Sequence, residues 1–451
     1  MTDLALRQAA RPASPTNASD LYRAVWRWHF YAGLLVLPFL ITLAVTGALY
    51  LFRDEIDALV HADLKRVEVA ATTATPSAMI EAAIARVPGT AVKFTTPATP
   101  TSSAEITVKK TDGEKLAVYV NPYSGAVLGT LPDKGTIMTF VRDLHSLSFF
   151  GTIGRTAIEI AGGWAILLVA TGIYLWWPRK GRGGVVSVRG APSQRIFWRD
   201  LHAVTGIFVG AVILFLAITG MPWSVFWGDK VNEWANGSNF GYPTGLRVNV
   251  PMSDEHMNHL GQTSWSLQQA EVPLSSVSGT AAISVDQAMK TFDRLGLAPG
   301  YAVNIPTTAE GVYTGSVYPD DLDKQRVVHL DQYSGKPLID LSYADYGPGA
   351  KAMEWGINVH LGQQYGALNQ YVLLAACIAI VILAVSAAIM WWKRRPIGRL
   401  GVPPLPGDRR KLAGVVTILA IGGAIYPLVG ASLIFVLIFD MILTRRWRAV
   451  G

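Results

Sequence analysis

Cysteine is nearly absent from this chain: its 451 residues contain one, Cys377. A single thiol excludes an internal disulfide framework, a CxxC metal site and covalent haem attachment through CxxCH. Charge is scarce as well, with 16% Asp, Glu, Lys and Arg against 51% hydrophobic residues. There is no Walker loop, no GxGxxG after a strand and no G-x-S-x-G nucleophile elbow. The Gly-rich "RKGRGG" at 179–184 follows an apolar run and opens no evident helix, so it reads as a basic loop. The chain thus has no recognisable nucleotide, nicotinamide or flavin domain. A reductase built on it would take electrons from a separate protein or from membrane quinol.

What is abundant is continuous hydrophobicity. Mean hydropathy is +0.30, and apolar runs fall at 29–52, 156–177, 200–227, 368–392 and 412–443. Runs of roughly 20 or more such residues are the mark of helical membrane spans. The first is too long for the core of a cleaved signal peptide and reads as an uncleaved anchor. Orientation follows from Lys and Arg at the span ends. Residues 1–28 carry four Arg, 178–199 six basic residues and no acidic one, and 393–411 seven basic residues against one Asp. These segments and the 444–451 tail are expected in the cytoplasm, with 53–155 and 228–367 outside. The formal charge of +7 sits beside the apolar runs, which points to the lipid bilayer and not to nucleic acid as the partner.

The last run has 32 residues, about 48 Å as one helix against roughly 30 Å of hydrocarbon. A break near Gly422–Pro427 would make it a hairpin and return the basic tail "TRRWR" to the inner side.

The chain matches itself. "HFYAG…LAVTG" (29–47) overlays "HAVTG…LAITG" (202–220), with Gly four residues and Thr seventeen residues after each His. "DLHSLSFFG" overlays "NVHLGQQYG": His145 and His360 precede a Gly by six residues and a Trp-Trp pair by thirty-one. Between them "VYVNPYSGAVL" (118–128) echoes "VHLDQYSGKPL" (328–338). Three matches in one order indicate duplication. Each half contributes two spans, so the halves enter the membrane from the same side, as parallel repeats about an axis along the membrane normal.

The expected fold is an α-helical integral membrane protein. It is internally duplicated (2+2 spans in a parallel pseudo-twofold repeat), with two small outer α+β units and a C-terminal helical hairpin. "PSAMIEAAIARVPG" and "SVDQAMKTFDRLG" have helical spacing, and "AEITVKK", "KLAVYV", "GVYTGSVY" and "QRVVHLD" read as strands. Residues 229–275 have no counterpart in the first half.

Four of eight histidines are repeat-matched: His29 with His202, and His145 with His360. Under the duplication, matched residues lie at one depth on facing helices. The first pair belongs near the cytoplasmic edge and the second near the outer edge. Two facing imidazoles are the axial ligand set of a six-coordinate, non-covalent haem b. The plainer reading is that an interfacial His only hydrogen-bonds, and that Thr46 and Thr219 with their glycines tighten helix contacts. Survival of two histidine positions in both halves favours iron ligation. A continuous helix from His145 to Trp176 would rise about 46 Å, so Gly151 and Gly154 suggest a break that sets His145 on a short separate helix. "MSDEHMNH" offers His256 and His259 with Met252 and Met257 as a soft-metal alternative to a polar surface loop. His61 and His329 have no visible partners. The paired tryptophans read first as interfacial belts.

At these residues the chain resembles the PepSY-associated transmembrane family, also described as PiuB-like iron-regulated membrane proteins. The patterns are "WRWHFYAGLLVLPFLITLAVTGALYLFRDEID", "LHSLSFFGTIGR…TGIYLWWPRKGR", and the hairpins "NPYSGAVLG" and "DQYSGKPLI". Asn121 stands where the hairpin usually has Asp, and "AVSAAIMWW" replaces TGxxLWW in the fourth span. The resemblance implies a bacterial inner-membrane location and two periplasmic PepSY domains. It implies, for some members, haem-dependent reduction of ferric siderophores to release Fe(II), with His29, His145, His202 and His360 as haem iron ligands holding one or two haems. The paired domains would frame a periplasmic cleft for the chelate. Competing expectations are a non-redox siderophore or metal permease, a membrane-anchored PepSY sensor or binding module, and an electron-transfer partner for another acceptor.

Overall fold

The computed structural model describes residues 20–178, 185–236, 238–241, 250–257, 265–276, 281–398, 400–403 and 409–448. Along the chain, α1 (Asp20–Tyr50) leads through α2 (Arg53–Val60) and α3 (Ala62–Lys65) to α4 (Pro76–Arg86). Strands β1 (Thr90–Thr95), β2 (Ala104–Lys109), β3 (Lys115–Val120) and β4 (Val127–Pro132) follow, then α5 (Ile137–His145) and α6 (Gly151–Trp176). After α7 (Arg195–Gly220) and α8 (Phe226–Asn236) come β5 (Met252–His256), β6 (Glu271–Pro273) and α9 (Val285–Leu295). Next are β7 (Ala302–Asn304), β8 (Val312–Val317), β9 (Arg326–Asp331), β10 (Pro337–Ser342), α10 (Pro348–His360) and α11 (Ala367–Arg394). The last helices are α12 (Arg409–Ile425) and α13 (Pro427–Arg448).

Four helical stretches are long and apolar enough to cross a bilayer: Asp20–Tyr50, Ser148–Trp176, Arg195–Trp223 and Ala367–Arg394, with mean hydropathies of 2.2, 1.7, 2.4 and 3.0. Only 17–33% of each apolar window is buried within the protein. Side chains this greasy and this uncovered need lipid around them, so the chain is a multi-pass membrane protein. Helix α1 begins nine residues before its apolar run, because "DLYRAVWRW" is made of adequate helix formers. Pro38 lies inside it, which a membrane helix tolerates when neighbours re-satisfy the freed carbonyl.

The chain divides into two compact units, one comprising Met1–Ile41, Ala157–Ala217 and Ala379–Gly451, the other Thr42–Thr156 and Ile218–Ile378. In the first, helix α12 stops at Ile425 and α13 starts at Pro427. Proline has no N–H to give to a preceding turn but fits the start of a new one. The last apolar run is therefore two helices. They approach closely: a Cβ on Gly423 would lie 2.6 Å from Gly430 Cα. The hairpin packs on α6, where Val429 occupies the space a side chain at Gly163 would need and Trp164 Nε1 donates to Ser432 Oγ at 2.8 Å.

The second unit holds an eight-stranded antiparallel sheet in the order β10-β9-β8-β7-β1-β2-β3-β4. Each outer region supplies four strands and one helix. The two sets meet where β1 pairs with β7 in the register Lys93↔Asn304, Phe94↔Val303, Thr95↔Ala302. Backbone hydrogen bonds across this seam join the two sets of strands into one sheet. One core runs beneath both halves: Met79 and Ala83 of α4 and Met289 and Phe292 of α9 pack with Phe94, Ile106, Val118, Val303 and Val328. Helix α9 starts at a Ser284–Gln287 capping box and stops at Gly296, whose φ of +80° suits glycine. The smaller sheet β5-β6 lies in the unmatched stretch.

Candidate functional site

The histidines of the first pair come together. His29 on α1 and His202 on α7 have ring centres 6.4 Å apart and planes at 79°. Each ring is held from behind by another helix. His29 Nδ1 lies 2.8 Å from Thr171 Oγ1 on α6. That hydroxyl already donates to the Leu167 carbonyl at 2.7 Å, so it accepts from the imidazole, and Nδ1 carries the proton. His202 Nδ1 is 3.1 Å from the Leu383 carbonyl on α11, an acceptor only, which fixes the same tautomer. Gly172 leaves room for the His29 ring: a Cβ there would sit 3.4 Å from its Cε1.

The second pair repeats the device. The chain leaves α5 at His145, turns through Leu147 (φ +51°) and Gly151 (φ +57°), and only then enters α6. The expected break is therefore present, and a side chain on Gly154 would strike the Leu147 carbonyl. His145 Nδ1 lies 2.9 Å from Thr46 Oγ1, whose proton goes to the Thr42 carbonyl at 2.6 Å. His360, at the end of α10, places Nδ1 2.8 Å from Thr219 Oγ1. Gly47 and Gly220 lie beside these rings: a Cβ on each would stand in ordinary contact with the Cε1 of His145 and His360, at 3.4 and 3.6 Å. Trp223 packs edge-on against His360, 6.5 Å between ring centres.

In all four histidines Nδ1 is engaged, and among the described residues no hydrogen bond is made to Nε2. A neutral imidazole donating from Nδ1 presents its Nε2 lone pair, the state in which histidine binds metal. Two metal–nitrogen bonds of about 2.0–2.1 Å, with ring centres roughly 1.1 Å behind each nitrogen, place centroids about 6.3 Å apart. His29 and His202 meet that distance. Among the described residues no group of three or more His, Cys, Asp or Glu could hold a bare metal ion. The paired imidazoles could hold a metal whose remaining ligands come from outside the protein.

The threonines are what reading the sequence missed. By sequence Thr46 and Thr219 fit helix packing and Thr171 carries no signal of its own; in the structure all three hydroxyls accept from an imidazole Nδ1. The signal was the Thr-Gly dipeptide, present at 46–47, 171–172 and 219–220.

The remaining candidates lie elsewhere. Met257 is 3% exposed in a core with Leu267, Val312 and Leu341, so it faces that core and not a metal. His259 and the side chain of His256 fall outside the described residues. His61 Nε2 is buried without a partner. His329 is buried in the sheet with Nδ1 2.9 Å from Thr314 Oγ1, and burial pushes its pKa down to about 3. Trp176 and Trp391 donate to the Val185 and Leu400 carbonyls at 2.8 and 2.9 Å, while Trp177 and Trp392 are 62% and 63% exposed. The Arg395 guanidinium lies over the Trp392 ring, 3.7 Å from its centre. Asp200, fully buried two residues before His202, is neutralised by Arg189 and Arg199.

Apolar helices long enough to span a bilayer, carrying repeat-matched imidazoles that are supported at Nδ1, together with an antiparallel sheet, define a multi-pass membrane protein. The particular family is shown by comparison: residues 26–394 match the family described as PepSY-associated TM region, and the chain belongs to it. A search of curated proteins finds no match.

Proposed function

We propose that this chain is a duplicated, haem b-containing ferric-siderophore reductase of the bacterial inner membrane. In this reading its N-terminus is cytoplasmic, and its two PepSY domains are periplasmic and joined through the β1–β7 seam. The observation that carries the reading is the set of four Nδ1-anchored imidazoles, with His29 and His202 at the spacing of two ligands on one iron. His29 and His202 would hold one haem, and His145 and His360 a second. Bound there, haem b supplies one-electron transfer through the bilayer.

The protein's own groups do the positioning. Thr171, Thr46, Thr219 and the Leu383 carbonyl keep each Nδ1 protonated and each Nε2 presented. The glycines beside the three threonines let the rings approach the neighbouring helices. The uncovered apolar faces of the spans keep the site in hydrocarbon. At the outer side one electron converts Fe(III) chelate to Fe(II), which siderophores hold weakly. A quinol donor would give two electrons and two protons and so serve two ferric ions, whereas a cytoplasmic reductase would deliver electrons without quinol.

A pyridine haemochrome assay on purified protein tests the cofactor. Haem b, with a Soret and α-band sharpened by dithionite, is the expected outcome; no such bands would end the proposal. A permease or an anchored binding module has no use for paired imidazoles. Its uptake or binding would survive simultaneous His29→Ala and His202→Ala, whereas ferric-chelate reduction would be lost.

A further inference from the structure

The four imidazole supports are not equal. Thr171 and Ser386 stand 215 positions apart, as His145 and His360 do. Ser386 is therefore the counterpart of Thr171, and Ala387 that of Gly172. Yet His202 does not bond Ser386. The Ser386 hydroxyl donates to the Leu383 carbonyl at 2.8 Å, and the same carbonyl receives His202 Nδ1 at 3.1 Å. The other three imidazoles lie 2.8–2.9 Å from a threonine hydroxyl.

Two physical differences account for this. Serine lacks the methyl that restricts threonine at χ1, so its hydroxyl is free to choose the nearest carbonyl. Ala387 carries a Cβ where Gly172 has none; beside His29 such a Cβ would come within 3.4 Å of the ring, the near limit of ordinary contact, so the corresponding ring has less freedom of position. The Leu383 carbonyl, with two lone pairs, is then shared between its helical N–H, the serine and the histidine. His202 receives the smallest share.

We infer that Ser386–Ala387 is a relaxed copy of the Thr-Gly support and makes His202 the least electron-rich of the four imidazoles, so that these two residues set the reduction potential at the first pair. The inference rests on the haem reading. A donor hydrogen bond from the distal ring nitrogen raises ligand basicity and favours the ferric state. A weaker bond at His202 leaves the ferrous state easier to reach.

Spectroelectrochemical titration of the purified protein tests this. The component belonging to the first pair is identified as the one lost in His202→Ala. The double substitution S386T/A387G rebuilds the Thr-Gly support and should favour oxidation of that component by about tenfold, about 59 mV downward for one electron. The converse T171S/G172A weakens the support of His29 and should move the same component upward. S386A alone should move it downward by less than the double substitution, because it frees the Leu383 carbonyl for His202 without supplying a hydroxyl acceptor. A first-pair potential unchanged in both double variants, or moved equally by S386A, overturns the inference while leaving haem binding intact. A wild-type protein without haem bands overturns both.

Discussion

A threonine hydroxyl has one proton and two lone pairs, and in Thr46 the proton goes to Thr42, one turn back. Such back-bonding contributes little to a helix, but it turns the oxygen into a committed acceptor for His145. Thr46→Ala or Thr219→Ala should leave a buried Nδ1–H unpaired and cost about 1–3 kcal/mol. Haem retention by the second pair should fall about 10–100-fold, read from haem content after gel filtration, with Thr→Ser intermediate. Nothing in composition or periodicity distinguishes a packing threonine from an orienting one, because both sit at small-residue contacts between helices. Only the partner across the interface decides, and it lies 99 and 141 residues away in sequence. The hairpin aspartate was easier to read. Asn121 Oδ1 accepts from the Tyr123 and Ser124 amides as Asp331 accepts from Tyr333 and Ser334, so the departure at Asn121 leaves the turn unaltered. Burial alone would raise the Asp331 carboxyl, but hydrogen bonds from Ser276 and Ser334 outweigh it and hold the pKa well below the ordinary range.

His329 gives a pH prediction. Its pKa is lowered by burial from 6.5 to about 3, so between those values the unfolded chain binds a proton that the folded sheet refuses. The stability due to the neutral imidazole is complete above pH 6.5 and is lost as pH falls toward 3. The slope from this group approaches about 1.4 kcal/mol per pH unit. Denaturant unfolding of the wild type against His329→Leu, from pH 7 to 4, should give a slope shallower in the variant by about that amount.

Helix ends show where sequence reading works and where it stops. The break before α6 was legible because a helix running through it would carry His145 far from any bilayer, and two glycines stood at the right place. Gly154→Ala should disturb that corner, where the added methyl meets backbone, and cost about 1–3 kcal/mol in thermal unfolding in detergent. The hairpin α12–α13 was legible from length against bilayer thickness. Gly423→Leu should separate its helices at comparable cost, seen as a lowered Tm with the outer sheet's circular dichroism unchanged. The start of α1 was not legible from hydropathy, because Arg27 and Trp28 look like an aqueous flank. In the fold they are only 6% and 5% exposed: Arg27 donates to the Pro403 carbonyl, and Trp28 packs edge-on against Tyr31.

Taken together, the two histidine pairs belong to different compact units, His29 and His202 to one, His145 and His360 to the other. Each pair draws its support from within its own unit. If the two pairs hold one haem each, as proposed, His29→Ala/His202→Ala and His145→Ala/His360→Ala should each remove about half of the haem absorbance and spare the rest. Loss of all absorbance from either double variant would show that the sites are interdependent.

The outer sheet carries a consequence of another kind. Pairing β1 with β7 consumes two strand flanks that would otherwise lie bare, and leaves only β4 and β10 at the rims. A bare flank is a template for foreign chains. Either PepSY copy, excised and expressed by itself, would expose such a template and should self-associate. In the intact chain each copy serves as the other's guard against aggregation.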